Sequence, residues 1–120
     1  MSKILVLITH PPFGHENTFA GLYVASAALS KGLDVTVAMT GDGVYAGRKG
    51  QVDPLANINM PSTEDQVRDI IDLGGRVFVD QDSLSARGIT QEELIEGLEG
   101  QPLGKIHDVM LDEGEIIVTF

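Results

Sequence analysis

The stretch ILVLITHPPFG, residues 4–14, joins an uninterrupted apolar run to a loop of prolines and glycine. Such a run is typical of a parallel strand covered on both faces, and the prolines and glycine end it. Asn17 or Thr18 is predicted to cap a helix that ends at Gly32, before the strand-like segment DVTVAM at residues 34–39. Because a strand, a helix and a strand in this order form a right-handed βαβ unit, the sheet is predicted to be parallel.

The remaining patterns extend this alternation to the end of the chain. They predict a glycine-rich loop (40–50), a surface loop (51–61), a helix opened by a capping box of Thr63 and Gln66, a strand (76–80), at most a short helical turn (81–89), a helix (92–98) opened by a capping box of Thr90 and Glu93, a short strand (102–106), a short helix (107–112) and a final buried strand (115–120). No repeat or linker interrupts them. We therefore expect one α/β domain over residues 1–120.

Composition narrows the classes of function. The 120 residues contain 18 Asp and Glu against 8 Lys and Arg, a formal charge of −10, which disfavours binding to nucleic acid or to anionic membranes. A basic protein surface is the partner that such a charge favours. The absence of cysteine excludes disulfides and thiol nucleophiles. The first apolar run is too short to span a membrane and lacks a signal-peptide cleavage site, so we expect a cytoplasmic protein.

Two loops carry residues of chemical interest. His10, His15 and Glu16 follow the first strand, but their spacing in a proline-containing loop does not pre-align metal ligands, so we expect a pocket-lining or solvated loop and no metal site. The segment Gly41-Asp42-Gly43 follows the second strand, at the sheet edge where α/β proteins bind ligands. Its aspartate disfavours a phosphate, and a tight turn with positive φ at the glycines is the simpler interpretation.

Polar residues also follow the third strand. Asp80, Asp82, Ser83 and Arg87 could form a small site with Arg87 as an anion ligand, or a capped turn held by an Asp–Arg pair. A Ser–His–Asp triad can be assembled from Ser83, a histidine of the first loop and Asp42, but no nucleophile elbow surrounds any serine. No catalytic residue and no cofactor is predicted.

The order of these segments resembles the DsrE-like family, which includes the sulfur-relay proteins DsrE, DsrF and DsrH and their YchN-like relatives. The likeness covers nearly the whole chain and rests on the opening strand and loop, on TGDGV at residues 40–44, on LSARGIT at residues 84–90 and on the closing strand. It implies a three-layer α/β/α domain around a five-stranded parallel sheet. It also implies an oligomer, since similar proteins assemble as homotrimers, hexamers or mixed-subunit rings, and we expect a homo-oligomer, either a trimer or a hexamer.

The same resemblance locates the family's sulfur chemistry. Relay-active members carry a sulfur-accepting cysteine shortly before the Arg-Gly pair, a position that corresponds to Asp80 here, while Ser83 takes a second position often filled by cysteine. We therefore expect a non-catalytic oligomeric subunit linked to intracellular sulfur metabolism. Its role would be either structural or the docking of a partner protein that is basic or carries a cysteine. The alternatives are a small-molecule binder or enzyme using the crevice around Asp80 and, from fold analogy alone, a flavodoxin-like nucleotide protein.

Overall fold

The computed structural model contains a single parallel sheet between two layers of helices. It describes residues 2–13, 16–51, 61–113 and 116–120. The elements in chain order are β1 (Lys3–Ile8), α1 (Asn17–Ser30), β2 (Asp34–Met39), a 3-10 helix (Gly41–Gly47), α2 (Thr63–Asp72), β3 (Arg76–Asp80), α3 (Gln81–Ala86), a 3-10 turn (Gln91–Glu93), β4 (Glu99–Gln101), α4 (Leu103–Glu113) and β5 (Ile116–Thr119). The strand order is β4-β3-β2-β1-β5, and every pairing is parallel. No helix in these ranges is long and apolar enough to cross a membrane.

Alternating side chains of the strands fill two cores, one on each face of the sheet. Ile4, Val6 and Ile8 of β1 belong to the larger core, which α1 and α2 cover. Leu5 and Phe78 belong to the smaller core, which α4 covers. Because successive strand residues point to opposite faces, one apolar run can supply both cores. The predicted three-layer α/β/α architecture with a five-stranded parallel sheet is confirmed.

The predicted helix over residues 92–98 is wrong. After the short turn at Gln91–Glu93 the chain is extended, since Leu94 forms an isolated antiparallel bridge with Arg48 and the Ile95 N–H donates to the Gly47 carbonyl at 2.9 Å. Leu94 and Ile95 are both buried in the larger core. Tertiary pairing and burial therefore outweigh the local helix signal.

The predicted strand over residues 102–106 is also wrong. The fourth strand is β4 at Glu99–Gln101, and α4 begins at Leu103 and includes the helix predicted over residues 107–112. The Pro102 carbonyl accepts hydrogen bonds from the N–H groups of Lys105 (2.9 Å) and Ile106 (3.1 Å). Proline suits a helix start because the first turn of a helix does not use its N–H groups.

Helix starts and the last strand differ in smaller ways. The side chain of Ser62, not the Thr63 and Gln66 pair, caps α2 by accepting a hydrogen bond from the Asp65 N–H at 3.1 Å. The segment after β3 forms the six-residue helix α3, more than the single turn predicted. β5 is an exposed edge strand rather than a buried one. Most of the loop predicted over residues 51–61, and residues 114 and 115, lie outside the described ranges.

Candidate functional site

The loop after β2 lies against the end of β1 at the carboxyl edge of the sheet. The Thr40 N–H donates to the Ile8 carbonyl at 3.1 Å. A Cβ added at Gly43 would lie 2.0 Å from that same carbonyl oxygen. Gly43 is thus required by close backbone approach, whereas the sequence had suggested positive φ at both glycines and only Gly41 has it, at 57°.

Asp80 is the last residue of β3 and caps the N-terminus of α3. Its side chain is buried, with the residue only 3% exposed. One carboxylate oxygen accepts a hydrogen bond from the Asp82 N–H at 3.2 Å, and the other accepts one from the Ser83 hydroxyl at 2.5 Å. Both oxygens of Asp80 are therefore engaged within the fold.

Ser83 connects this cap to the loop after β2. Its Oγ accepts a hydrogen bond from the Gly41 N–H at 3.0 Å while its hydroxyl donates to Asp80. The Gly41 N–H, the Ser83 hydroxyl and the Asp80 carboxylate thus form a continuous chain of hydrogen bonds. A carboxylate at the end of such a chain strengthens each bond in it. The chain ties together two segments that are 42 residues apart in sequence.

Arg87 completes the cluster through Asp42. Its Nε and Nη2 lie 3.0 and 2.9 Å from the same Asp42 Oδ1, and its Nη1 donates to the Ser83 carbonyl at 3.1 Å. The side chain of Arg87 is 25% exposed and that of Asp42 is 60% exposed. The structure therefore brings Asp42, Asp80, Asp82, Ser83 and Arg87 together as a capped turn with an Asp–Arg pair.

The first loop contributes differently. His10 follows the end of β1, where its Nδ1 lies 3.3 Å from the Thr9 hydroxyl and its carbonyl accepts a hydrogen bond from the Thr18 hydroxyl at 2.6 Å. His15 lies outside the described residues. Ser83 donates to Asp80 and not to an imidazole, so the described geometry does not form a Ser–His–Asp relay. Across the described ranges, no three His, Asp or Glu side chains are grouped as a metal ion would require.

An ion-pair network that the sequence reasoning missed lies beside α2. Arg68 donates to Glu64 at 2.8 Å and to Glu96 at 2.9 Å, and Lys49 approaches Glu96 at 3.4 Å. A hydrogen bond from the Gly50 N–H, and then Arg68, hold the pKa of Glu64 below its ordinary value. The pKa of Glu96 falls to about 2 through its own backbone N–H, Arg68 and Lys49. The i,i+4 spacing of Glu64 and Arg68 was the available signal, whereas nothing local pointed to Glu96.

A small pocket is lined by residues outside the capped turn around Asp80. Phe13, Arg48 and Ser62 are among its walls, and none of the predicted site residues belongs to it. Phe13 also packs against Tyr45, with ring centroids 6.0 Å apart. The described contacts at the pocket and at the capped turn assign no reaction.

Comparison with known proteins identifies a family with a similar sequence. Residues 2–120 match the sequence model of the DsrE/DsrF-like family. The uncharacterised protein MJ0989 of Methanocaldococcus jannaschii is 33% identical over 120 residues, which cover 98% of this chain and 99% of that protein. The intracellular sulfur oxidation protein DsrF of Allochromatium vinosum is 33% identical over 97 residues, which cover 80% of this chain and 70% of DsrF.

Solved structures show the same fold. The ychN protein from E. coli superposes with a TM-score of 0.87 at 24% identity, and the match covers all of both chains. The protein MTH1491 from Methanobacterium thermoautotrophicum superposes with a TM-score of 0.77 at 13% identity, again over all of both chains. At these identities the likeness establishes the architecture.

Proposed function

Because this chain belongs to the DsrE/DsrF-like family, we propose that it is a non-catalytic, homo-oligomeric subunit that docks a protein partner in intracellular sulfur metabolism. The observation that carries this proposal is the state of Asp80. The residue at the position that the resemblance assigns to the sulfur-accepting cysteine is buried, and both of its carboxylate oxygens already accept hydrogen bonds. Asp80 therefore stabilises the local structure instead of presenting a reactive group.

The chemistry of sulfur relay supports the same conclusion. Transfer of sulfur between proteins needs a thiolate that attacks, and is attacked at, sulfur, and this chain contains no cysteine. A carboxylate at Asp80 or a hydroxyl at Ser83 cannot form a persulfide. Any persulfide carried in an assembly with this chain must therefore be formed on a cysteine of another protein.

The charge of the chain favours a basic protein surface on that partner. At least five of the eight basic side chains are already paired with carboxylates of the same molecule; they are Arg48, Lys49, Arg68, Arg76 and Arg87. Each pair also neutralises a carboxylate, so the formal excess of ten acidic residues remains. A negative field of this kind accelerates docking to a positive surface and weakens with added salt.

The alternative of a small-molecule crevice around Asp80 gains no support from the geometry. A ligand there would have to break the hydrogen bonds from Asp82 and Ser83, and it would have to compete with Asp42 for Arg87. Breaking bonds to a buried carboxylate is costly because the group is then left unsatisfied.

Native mass spectrometry of the gently purified chain tests the proposal. We expect species at three or six times the subunit mass of 12.8 kDa, alone or with a cysteine-bearing protein in fixed ratio. The partner complex should dissociate as ionic strength rises, whereas the homo-oligomer should persist. A monomer at every micromolar concentration tested, with no protein partner, would overturn the proposal. A stoichiometric small ligand would instead support the crevice.

A further inference from the structure

The two edges of the sheet differ in length and chemistry. At one edge, β4 has only three residues, and its Glu99 lies 3.3 Å from Arg76 of the neighbouring strand. A short, polar and charged edge is protected against pairing with other chains. At the other edge, β5 has the sequence IIVT, and its Ile116 and Ile117 are 50% and 45% exposed. Only the β5 edge has the composition of a pairing surface.

The outer side of β5 also carries backbone groups without a partner strand in the described residues. Phe120 faces β1, since its N–H donates to the Leu7 carbonyl at 2.8 Å and its carbonyl accepts from the Thr9 N–H at 2.8 Å. Along a strand, alternate residues direct their N–H and C=O groups to opposite sides. Ile117 and Thr119 therefore direct theirs away from β1, and among the described residues β5 pairs with β1 alone.

We propose that β5 pairs antiparallel with the β5 strand of a second copy of this chain. Among the registers that a two-fold axis allows, the proposed one places Val118 opposite its own copy and Ile117 opposite Thr119 of the second copy. The outward N–H and C=O groups of Ile117 and Thr119 then form the hydrogen-bonded pairs of an antiparallel ladder. This inference rests on the proposed homo-oligomeric function and specifies one of its interfaces.

The β5 edge is an uncharged surface through which two copies of this chain can meet. Two molecules that each carry a formal charge of −10 repel, so they approach most easily through uncharged surface. β5 contains no charged residue. The nearby helix α1 contains none either over residues 17–30, and its Gly21 lies close to Phe120, at the end of β5. The apolar composition of both elements also suits an interface.

Symmetry limits what this contact can build. A two-fold contact uses the same surface on both copies and leaves no β5 edge open. The remaining edge of each copy is β4, which is short and polar, so the sheet does not extend further. A contact with a two-fold axis fits a hexamer that contains two-fold axes, and it does not fit a trimer with a single three-fold axis.

Cysteine substitution tests the register, because the chain has no cysteine of its own. In the proposed pairing the two Val118 Cα atoms lie about 4.5 Å apart, within the range that a disulfide bridges. The two Thr119 Cα atoms lie roughly 8 Å apart, beyond that range. Under mild oxidation we expect Val118→Cys to form a covalent dimer at least tenfold faster than Thr119→Cys. Leu73→Cys is the matched control, since Leu73 is 56% exposed and lies at the end of α2.

Thr119→Pro provides an independent test. It removes the outward N–H without touching the ladder between β5 and β1, because that N–H points away from β1. We expect at least tenfold weaker self-association, with an unchanged circular dichroism spectrum of the subunit. The interface is refuted if Val118→Cys links no faster than Leu73→Cys, or if a folded Thr119→Pro associates like the unmodified chain. If the chain is an oligomer and still fails these tests, only the interface is wrong, whereas a monomer overturns the proposed function itself.

Discussion

Replacing Asp80 by alanine tests whether this position serves the fold. The substitution removes the cap of α3, which contributes about 1 kcal/mol, and a buried bond between a carboxylate and the Ser83 hydroxyl, which contributes about 1.5–3 kcal/mol. We therefore expect the free energy of unfolding to fall by about 2–4 kcal/mol. Urea unfolding followed by circular dichroism measures this loss, and the midpoint of thermal unfolding should fall by roughly 10 °C.

The control for that experiment is Asp69→Ala, which removes a carboxylate from the exposed face of α2. Its effect should stay within about 0.5 kcal/mol. A double-mutant cycle of Asp80→Ala with Ser83→Ala sharpens the test, because both single changes remove the same bond and should be non-additive by at least about 1 kcal/mol. An Asp80→Ala protein as stable as the unmodified chain would refute the structural role and return attention to ligand binding at this carboxylate.

Three further outcomes are expected. Gly43→Ala should lower the free energy of unfolding by more than about 2 kcal/mol, since its Cβ would clash with a backbone carbonyl; at Gly32, where φ is +84° and space is open, alanine should cost only about 1 kcal/mol, and equal losses in urea unfolding would contradict this explanation. The folded pKa values of Glu64 and Glu96 lie below the ordinary 4.5, so their stabilisation is complete above that pH and is lost as pH falls toward about 2. Acid titration of Arg68→Met should show a shallower loss over that window, and an unchanged slope would argue against the network. Raising the salt concentration should weaken binding of a basic partner more than it weakens self-association through β5. If sedimentation experiments show that self-association is the more salt-sensitive, the assignment of the acidic surface to the partner and of β5 to the second copy is wrong.

Local patterns were sufficient for the layers of the fold. The apolar run at residues 4–9, the βαβ spacing and the glycine ends of the helices predicted a parallel sheet between helices, because strand and helix periods are short-range properties. The pattern failed over residues 92–106, where Leu94 and Ile95 bury in an extended conformation and Pro102 opens a helix. At Leu94 and Ile95 contacts with distant residues outweighed the local helix signal, whereas the first turn of α4 formed from neighbours of Pro102.

The candidate site was predicted in part for a similar reason. Asp80, Asp82, Ser83 and Arg87 are neighbours along the chain, so their grouping was visible before the fold was known. Their roles depended on Gly41 and Asp42, which the sheet brings to them from about 40 residues away. Burial of Asp80 and the close approach at Gly43 could not be read from neighbours in sequence.

The sequence by itself determined the class of fold, the lack of any thiol chemistry and the negative charge of the molecule, because periodicity and composition belong to the chain before it folds. Only the tertiary structure decided that Asp80 closes a hydrogen-bonded cap and that β5 lies at an open edge of the sheet. An apolar run predicts burial wherever it occurs, but strand order decides whether its partner is already present in the same chain.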